Sequence, residues 1–456
     1  MARRVTRAER PADEPELCYG QRASPVLSAG VRGGHPLEEE SVAPAFFAGI
    51  DWSENLNDLV VVDRSGEAVA SLRFEATPGG IRSVLAVLAG LRTSHTFSRR
   101  SVPVAIEASR GLLVTALRRH GQTVIPIHPS TVARYRGRLN PGNRKKSDAG
   151  DATLLANILR TDGHAHRALH TNSEDADAVG ALTRAQLRAS RTRQYHYLQL
   201  RSQLRAVHPA AVTAWAHLGG RLIRPEAREL IALAPTSGQA ARLTRRQIRA
   251  ALERSGRTRL LDSETDRLFA LFREPVLHNP PAVEEALGQE VLTTLRFLGE
   301  ASLSVDELTA AAGELFSQHP QSHIYLSFPG VGLLTGARLL GELGDDPARF
   351  ATAKGLAAYA GARPFTWASG TSHTVLHRRV AANKRLAGYG HRWAFASLTK
   401  SPQCRAHYDK RRAAGDRHNA ALRRLFGKLL ASLHHCLLHD ELFAPEAAWP
   451  RPPGPA

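Results

Sequence analysis

From residue 46 the apolar and polar positions alternate in short runs: AFFAGIDW, then DLVVVDR, then AVASLRFEA, separated by a polar SEN and by an Arg-Ser-Gly turn. Three strands in a meander are expected. The period then lengthens. It predicts a helix over about 78–92, a strand VPVAIEA (102–108), a helix over about 110–119, a strand QTVIPIH (122–128) and a helix from Asp148 to about Arg160.

Beyond residue 175 the pattern is helical as far as 318, as in ALTRAQLRASRTRQYHYLQLRSQLRAV, with Leu182, Leu187, Leu198 and Leu204 spaced among polar residues. The apolar repeat is too irregular to define a heptad seam, so a dimerising coiled coil and an intramolecular hairpin both fit. From Tyr325, LSFPGVGLLTGARLLGELGD sets a Pro-Gly-Val-Gly turn before an amphipathic helix, a helix-hairpin-helix-like element. The glycines Gly330 and Gly332 would let backbone N–H groups approach a phosphate at a helix N-terminus.

Three leading strands followed by alternating helices and strands is the element order of an RNase H-like α/β domain, a mixed sheet with helices on its faces. The expected organisation is a disordered extension (1–44), this α/β domain (45–165), a helical or coiled-coil middle (175–318), a mainly α C-terminal domain (322–440) and a disordered tail (441–456). A length of 456 residues agrees with several domains, because single cores rarely grow past about 250–300 residues.

Charge narrows the class of partner. Lys+Arg number 61 against 42 Asp+Glu, a net +19, so a polyanion is the expected partner. Location says more than the total: residues 361–435 hold 15 Lys/Arg against only Asp409 and Asp416, and Arg184 to Arg205 includes six arginines and no acid. Cys18, Cys404 and Cys436 lie far apart, which supports neither a zinc site nor a disulfide framework. No apolar run reaches the roughly 18–20 residues of a membrane helix, and the N-terminus lacks a signal-peptide stretch. A cytoplasmic protein with no membrane partner is expected.

Four acids stand out against this background. Asp51 and Glu107 each end an apolar β-type run, where a carboxylate makes poor sense unless something binds it. Asp148 and Asp151 stand three apart at the start of a helical pattern, so both can face one direction. Hard Mg²⁺ or Mn²⁺ prefers such oxygen ligands, and phosphodiester chemistry needs such metals. Taken singly, the helix pair also suits a helix N-terminus capped by Ser147. The run Arg144-Lys145-Lys146 beside the pair is placed to hold a nucleic-acid backbone.

GIDW, AIEAS and KSDAGDA, followed in order by FPGVG, LAAYAGARP, ASG and RRVAANKRL, give the chain a resemblance to the DEDD-type insertion-sequence transposases of the one-ten family, over roughly residues 46–440. The resemblance implies a RuvC-like N-terminal domain, a coiled-coil connection and a C-terminal transposase domain. It implies recombination through a composite site, with Asp51, Glu107, Asp148, Asp151 and their Mg²⁺ (or Mn²⁺) acting together with a serine. Ser369 in PFTWASGTS matches that serine, with Ser372 and Ser401 close by in sequence. Its implied role is attack on the scissile phosphate to give a phosphoserine bond.

In many relatives a Lys, a Gly-Asn pair and a Leu-Arg pair follow. Here Arg378-Arg379 and Ala382-Asn383-Lys384-Arg385-Leu386 stand in their place, with Ala382 for the glycine. Arg378, Arg379, Asn383, Lys384 and Arg385 are therefore candidates for nucleic-acid contact. The resemblance further implies DNA partners at the element ends and target, a structured guide RNA that bridges them, a homo-oligomer (dimer or tetramer) and a nucleoid-associated location. Two other readings stay open: a RuvC-like endonuclease that uses water, and a nucleic-acid-binding module with a decayed site.

Overall fold

The computed structural model describes residues 44–53, 55–91, 102–139, 148–217, 221–346, 349–369, 372–376 and 382–449. The expected N-terminal extension up to residue 43, residues 450–456 of the expected tail, Arg144-Lys145-Lys146 with Ser147, and Arg378-Arg379 lie outside the described residues. The chain divides into two compact units, Met1–Leu169 and His170–Ala456.

In the first unit β1 (Phe46–Asp51), β2 (Leu56–Asp63) and β3 (Ala68–Glu75) form the expected meander. They are followed by α1 (Pro78–Gly90), β4 (Val104–Ile106), α2 (Leu112–Arg119), β5 (Val124–Pro126), α3 (Pro129–Leu139) and α4 (Asp148–Asp162). The sheet order is β3-β2-β1-β4-β5; β1 pairs antiparallel with β2 and parallel with β4. β4 and β5 are shorter than the apolar runs that predict them, and α3, mostly polar in PSTVARYRGRL, was not anticipated.

Strand alternation separates two cores. Ala48, Ile50, Leu59, Val61, Val104 and Ile106 pack with α1 and α2 on one face. Val60, Val62 and Ala105 face Ala152, Ala156, Leu154 and Leu155 of α4 on the other. Each fully buried branched side chain contributes about 1.5–3 kcal/mol.

Among the described residues the second unit is helical apart from one hairpin. Ser173 caps α5 (Glu174–Val207) by accepting from Ala176 N, and Glu174, Asp175 and Asp177 in the first turn suit the helix dipole. α5 does not continue as one long rod: Pro209 starts α6 (Pro209–Ala214), and α7 (Pro225–Leu233), α8 (Ser237–Arg242), α9 (Arg245–Arg254) and α10 (Leu261–Leu271) fold around Trp215, Ile248 and Leu268. α11 (Pro281–Gln318) then runs back along α5. Gln186 bonds Thr309 at 3.1 Å, His196 stacks on Phe297 at 5.3 Å, and Gln203 donates to Glu290 at 2.7 Å, so the two helices pair antiparallel within the chain.

The C-terminal part holds α12 (Ser322–Leu326), α13 (Leu333–Leu343), α14 (Ala353–Tyr359), the hairpin β6 (Phe365–Ser369) and β7 (Ser372–Leu376), α15 (Lys384–Ser397), α16 (Pro402–Ala413), α17 (His418–His439) and α18 (Pro445–Ala448). Its core also takes in Ala176 and Val179 of α5 and Ala312 and Phe316 of α11, so packing continues across residues 318–322. Residues 441–449, expected as part of a disordered tail, are instead ordered. Phe443 N donates to Ser327 Oγ at 3.0 Å, and its ring lies 4.4 Å from Phe328. Among the described residues, no helix is long and apolar enough to cross a membrane.

Candidate active site

The register of the sheet assembles a row of charged positions on the α4 face. Asp51, the last residue of β1, lies opposite Asp58 of β2, and Asp58 lies opposite Arg73 of β3. On the other side Ile50 is beside Ile106, so the next positions in line are Asp51 and Glu107. Because Ile50 and Ile106 point into the opposite core, Asp51 belongs to the face covered by α4.

Gly49 fixes where α4 crosses that face. A Cβ there would run into Ala152 O and come within 2.6 Å of Ala156 N, so only glycine admits the helix backbone. At the far end Arg160 reaches Arg64 O, which follows the last residue of β2. α4 therefore runs antiparallel to β1, and its first turn, carrying Asp148 and Asp151, lies toward the Asp51 end.

Asp151 is buried, at 6% exposure, and Arg136 of α3 donates to its Oδ1 from Nε (3.2 Å) and Nη2 (2.7 Å). Asp58 is equally buried and receives a two-pronged contact from Arg73, Nε to Oδ1 and Nη2 to Oδ2, both at 3.0 Å. The hydrogen bond to Asp58, then the charges of Asp58 and of Asp148, raise the Arg73 pKa above its ordinary value. Asp58, Arg73 and Arg136 were not singled out in the sequence. No local signal marks Asp58; the β1–β2 register sets it opposite Asp51.

The donors fit a hard divalent cation in kind, being carboxylates on one sheet face with one buried Asp. In this arrangement Arg136 holds Asp151, and among the described residues no three Asp, Glu, His or Cys are gathered as a metal-holding group.

Ser369 ends β6 and is paired in register with Ser372, the first residue of β7, across the two-residue connection 370–371. Ser372 is thus the backbone neighbour of Ser369. Ser401, by contrast, caps α16, its side chain accepting from Cys404 N.

The start of α15 is anchored by a partly buried network. Asn383 caps α15 by accepting from Arg385 N and Leu386 N, donates Nδ2 to Glu342 Oε2 at 2.6 Å, and has its own N bonded to Tyr359 O. Arg385 forks onto Glu342 at 2.6 and 3.0 Å, and Glu342 is only 3% exposed. Asn383 and Arg385, expected on nucleic acid, are engaged inside the protein; Lys384 between them is exposed.

The FPGVG turn also divides by residue. Gly330 has φ +79°, and a Cβ on it would meet Ser397 N at 2.8 Å, so its glycine serves packing against α15. Gly332, the N-cap of α13, is exposed, and a Cβ there would meet nothing within 4 Å. Of the basic stretches, Arg188, Arg191 and Arg205 on α5 are exposed, as are Lys410, Arg412 and Arg417 around the α16–α17 turn.

Known proteins match in both units, the first match running past Leu169 through α5. A DEDD transposase model of the IS110 group matches residues 48–209, and a model described as transposase of the IS116/IS110/IS902 family matches residues 322–409. The chain is thus a transposase, a DNA-recombining enzyme, and DNA is its partner. The mini-circle putative transposase for IS117 of Streptomyces coelicolor is 47% identical over 403 residues, covering 88% of this chain and 96% of that protein. The IS110 43.6 kDa protein of the same organism is 28% identical (87% and 95% covered), and the IS900 42 kDa protein of Mycobacterium paratuberculosis is 26% identical (87% and 98%). The chain belongs to the IS110 family of insertion-sequence transposases.

Proposed function

We propose that this transposase cuts and rejoins the DNA of its insertion sequence through Ser369. The observation that carries the reading is the Gly49 contact, which brings the first turn of α4 and its two carboxylates onto the face that holds Asp51. The mixed sheet order with α4 laid on it supports an RNase H-like domain. Asp51, Glu107, Asp148 and Asp151 would hold Mg²⁺ or Mn²⁺, which when bound neutralises charge on the reacting phosphate and lowers the pKa of the attacking oxygen.

The Ser369 Oγ attacks phosphorus and gives up its proton. A P–Oγ bond forms as the sugar oxygen leaves as a DNA hydroxyl, and a hydroxyl from another strand later reverses the step. The hairpin supports this role, because it carries Ser369 at the end of β6, in register with the start of β7.

A structured guide RNA would supply target choice. The exposed arginines of α5 and of the α16–α17 turn, with Lys384 and the open N-terminus of α13 at Gly332, are the surfaces for RNA or DNA backbone. Synapsis of two duplexes calls for a homo-oligomer. Titration calorimetry of the full chain with Mn²⁺ tests the carboxylate assignment: binding should be lost in Asp51→Asn and in Glu107→Gln, and unchanged binding in both removes it.

A further inference from the structure

We propose that Arg73 binds the phosphodiester that reacts beside Asp51, and that Asp58 is the positioning residue that holds its guanidinium for this. The inference rests on the carboxylate reading above and adds to it a cation and the residue that fixes it. Three consecutive strands carry Arg73, Asp58 and Asp51 at one register, so the guanidinium is an intrinsic part of the acidic row.

An anionic backbone approaching Asp51, Glu107, Asp148 and Asp151 meets like charge, and a fixed cation in the same row offsets that repulsion. Arg suits the task because its planar fork matches both carboxylate and phosphate. Asp58 takes Nε and Nη2, while Nη1 has no hydrogen bond among the described residues. The two side chains are also unequal: Arg73 is 59% exposed and Asp58 10%, so the carboxylate is sunk in the sheet face while the guanidinium stays open to a ligand. β3 is an edge strand, which leaves that side of the row without a further strand.

A buried carboxylate in register with Asp51 is a poor stabiliser, since it keeps its desolvation cost while its arginine, 59% exposed, is screened by solvent. Orientation of Arg73 accounts for why an acid stands there.

The test uses the full chain and a duplex carrying the terminal sequences of its own element, with strand cleavage, DNA affinity and thermal melting measured together. Arg73→Ala should slow cleavage by roughly 100-fold, the scale of losing one preorganised donor to a reacting oxyanion, and should also lower melting because it strands the buried Asp58 carboxylate. Arg73→Lys or added guanidinium should recover part of the rate. The double variant Asp58→Leu/Arg73→Met separates binding from mere charge balance: it should stay as slow as Arg73→Ala, and wild-type cleavage by it overturns the proposal. Inactive Asp51→Asn alongside fully active Arg73→Ala overturns the Arg73 assignment alone. Fully active Asp51→Asn overturns the carboxylate reading, and this one with it.

Discussion

Two arginine–carboxylate forks, one in each unit, share nearly the same geometry: 3.0 and 3.0 Å between Arg73 and Asp58, and 2.6 and 3.0 Å between Arg385 and Glu342. What surrounds them differs. Asp58 is answered by one open arginine on an edge strand, whereas Glu342 also takes Asn383 Nδ2, and Asn383 is itself held by Tyr359. Both arginines fork through Nε and Nη2, but Arg73 is 59% exposed against 36% for Arg385, and the second carboxylate is shared with Asn383 in a network that joins α13, α14 and α15. A bidentate contact therefore says little about role until the other donors on each partner are accounted for.

That contrast is open to direct attack. Arg385→Ala strands a nearly fully buried Glu342 carboxylate and should cost about 3–5 kcal/mol of stability, read as a lowered urea or thermal midpoint. Arg73→Ala also strands a buried carboxylate and lowers the midpoint, but Asp58→Leu/Arg73→Met should restore the midpoint while cleavage stays slow. Recovery of cleavage together with the midpoint would erase the difference between the forks.

A smaller effect comes from a buried polar group, His208, between α5 and α6. Burial holds its imidazole pKa down to about 4, with Glu284 pulling the other way. An unfolded imidazole titrates near 6.5, so between those values the unfolded chain binds a proton that the folded chain refuses. Stability from this residue is complete above about pH 6.5 and declines toward pH 4, by about 3 kcal/mol in total. Denaturant melts of wild type and His208→Gln across this range check it: the variant should lack that component of the slope.

The smallest effect belongs to Lys384, exposed between two internally engaged neighbours. Lys384→Ala should weaken DNA binding modestly and lower the log affinity against log salt slope by about 1, with melting unchanged. Lys384 and Arg385, adjacent in sequence, would then separate into a ligand contact and a structural one.

Asp51 and Glu107 were legible because an acid closing an apolar strand is anomalous by itself, and Asp148 and Asp151 because their spacing is helical. Asp58 was not, since in NDLVVVD it reads as turn-side polarity; only the antiparallel register sets it beside Asp51. Arg136 and Asp151 are separated by 15 positions and meet through α3, an element too polar to predict from periodicity. In the second unit Asn383 was read only as a nucleic-acid candidate; its partner Glu342 lies 41 residues upstream and nothing local points to it. The middle region was legible as helix. Its pairing was not, because an irregular apolar stripe fits a partner within the chain as well as a second copy.

Ser372 lies in register beside Ser369, so the residue that takes the phosphoryl group is the point to measure. DNA carrying the element's ends would be reacted with the full chain, the covalent adduct trapped, digested with protease and nuclease, and the nucleotide-bearing peptide sequenced by mass spectrometry. The account predicts the phosphoryl group on Ser369, with no adduct in Ser369→Ala. An adduct carried on Ser372, or cleaved DNA with free phosphate ends and no adduct, would contradict it.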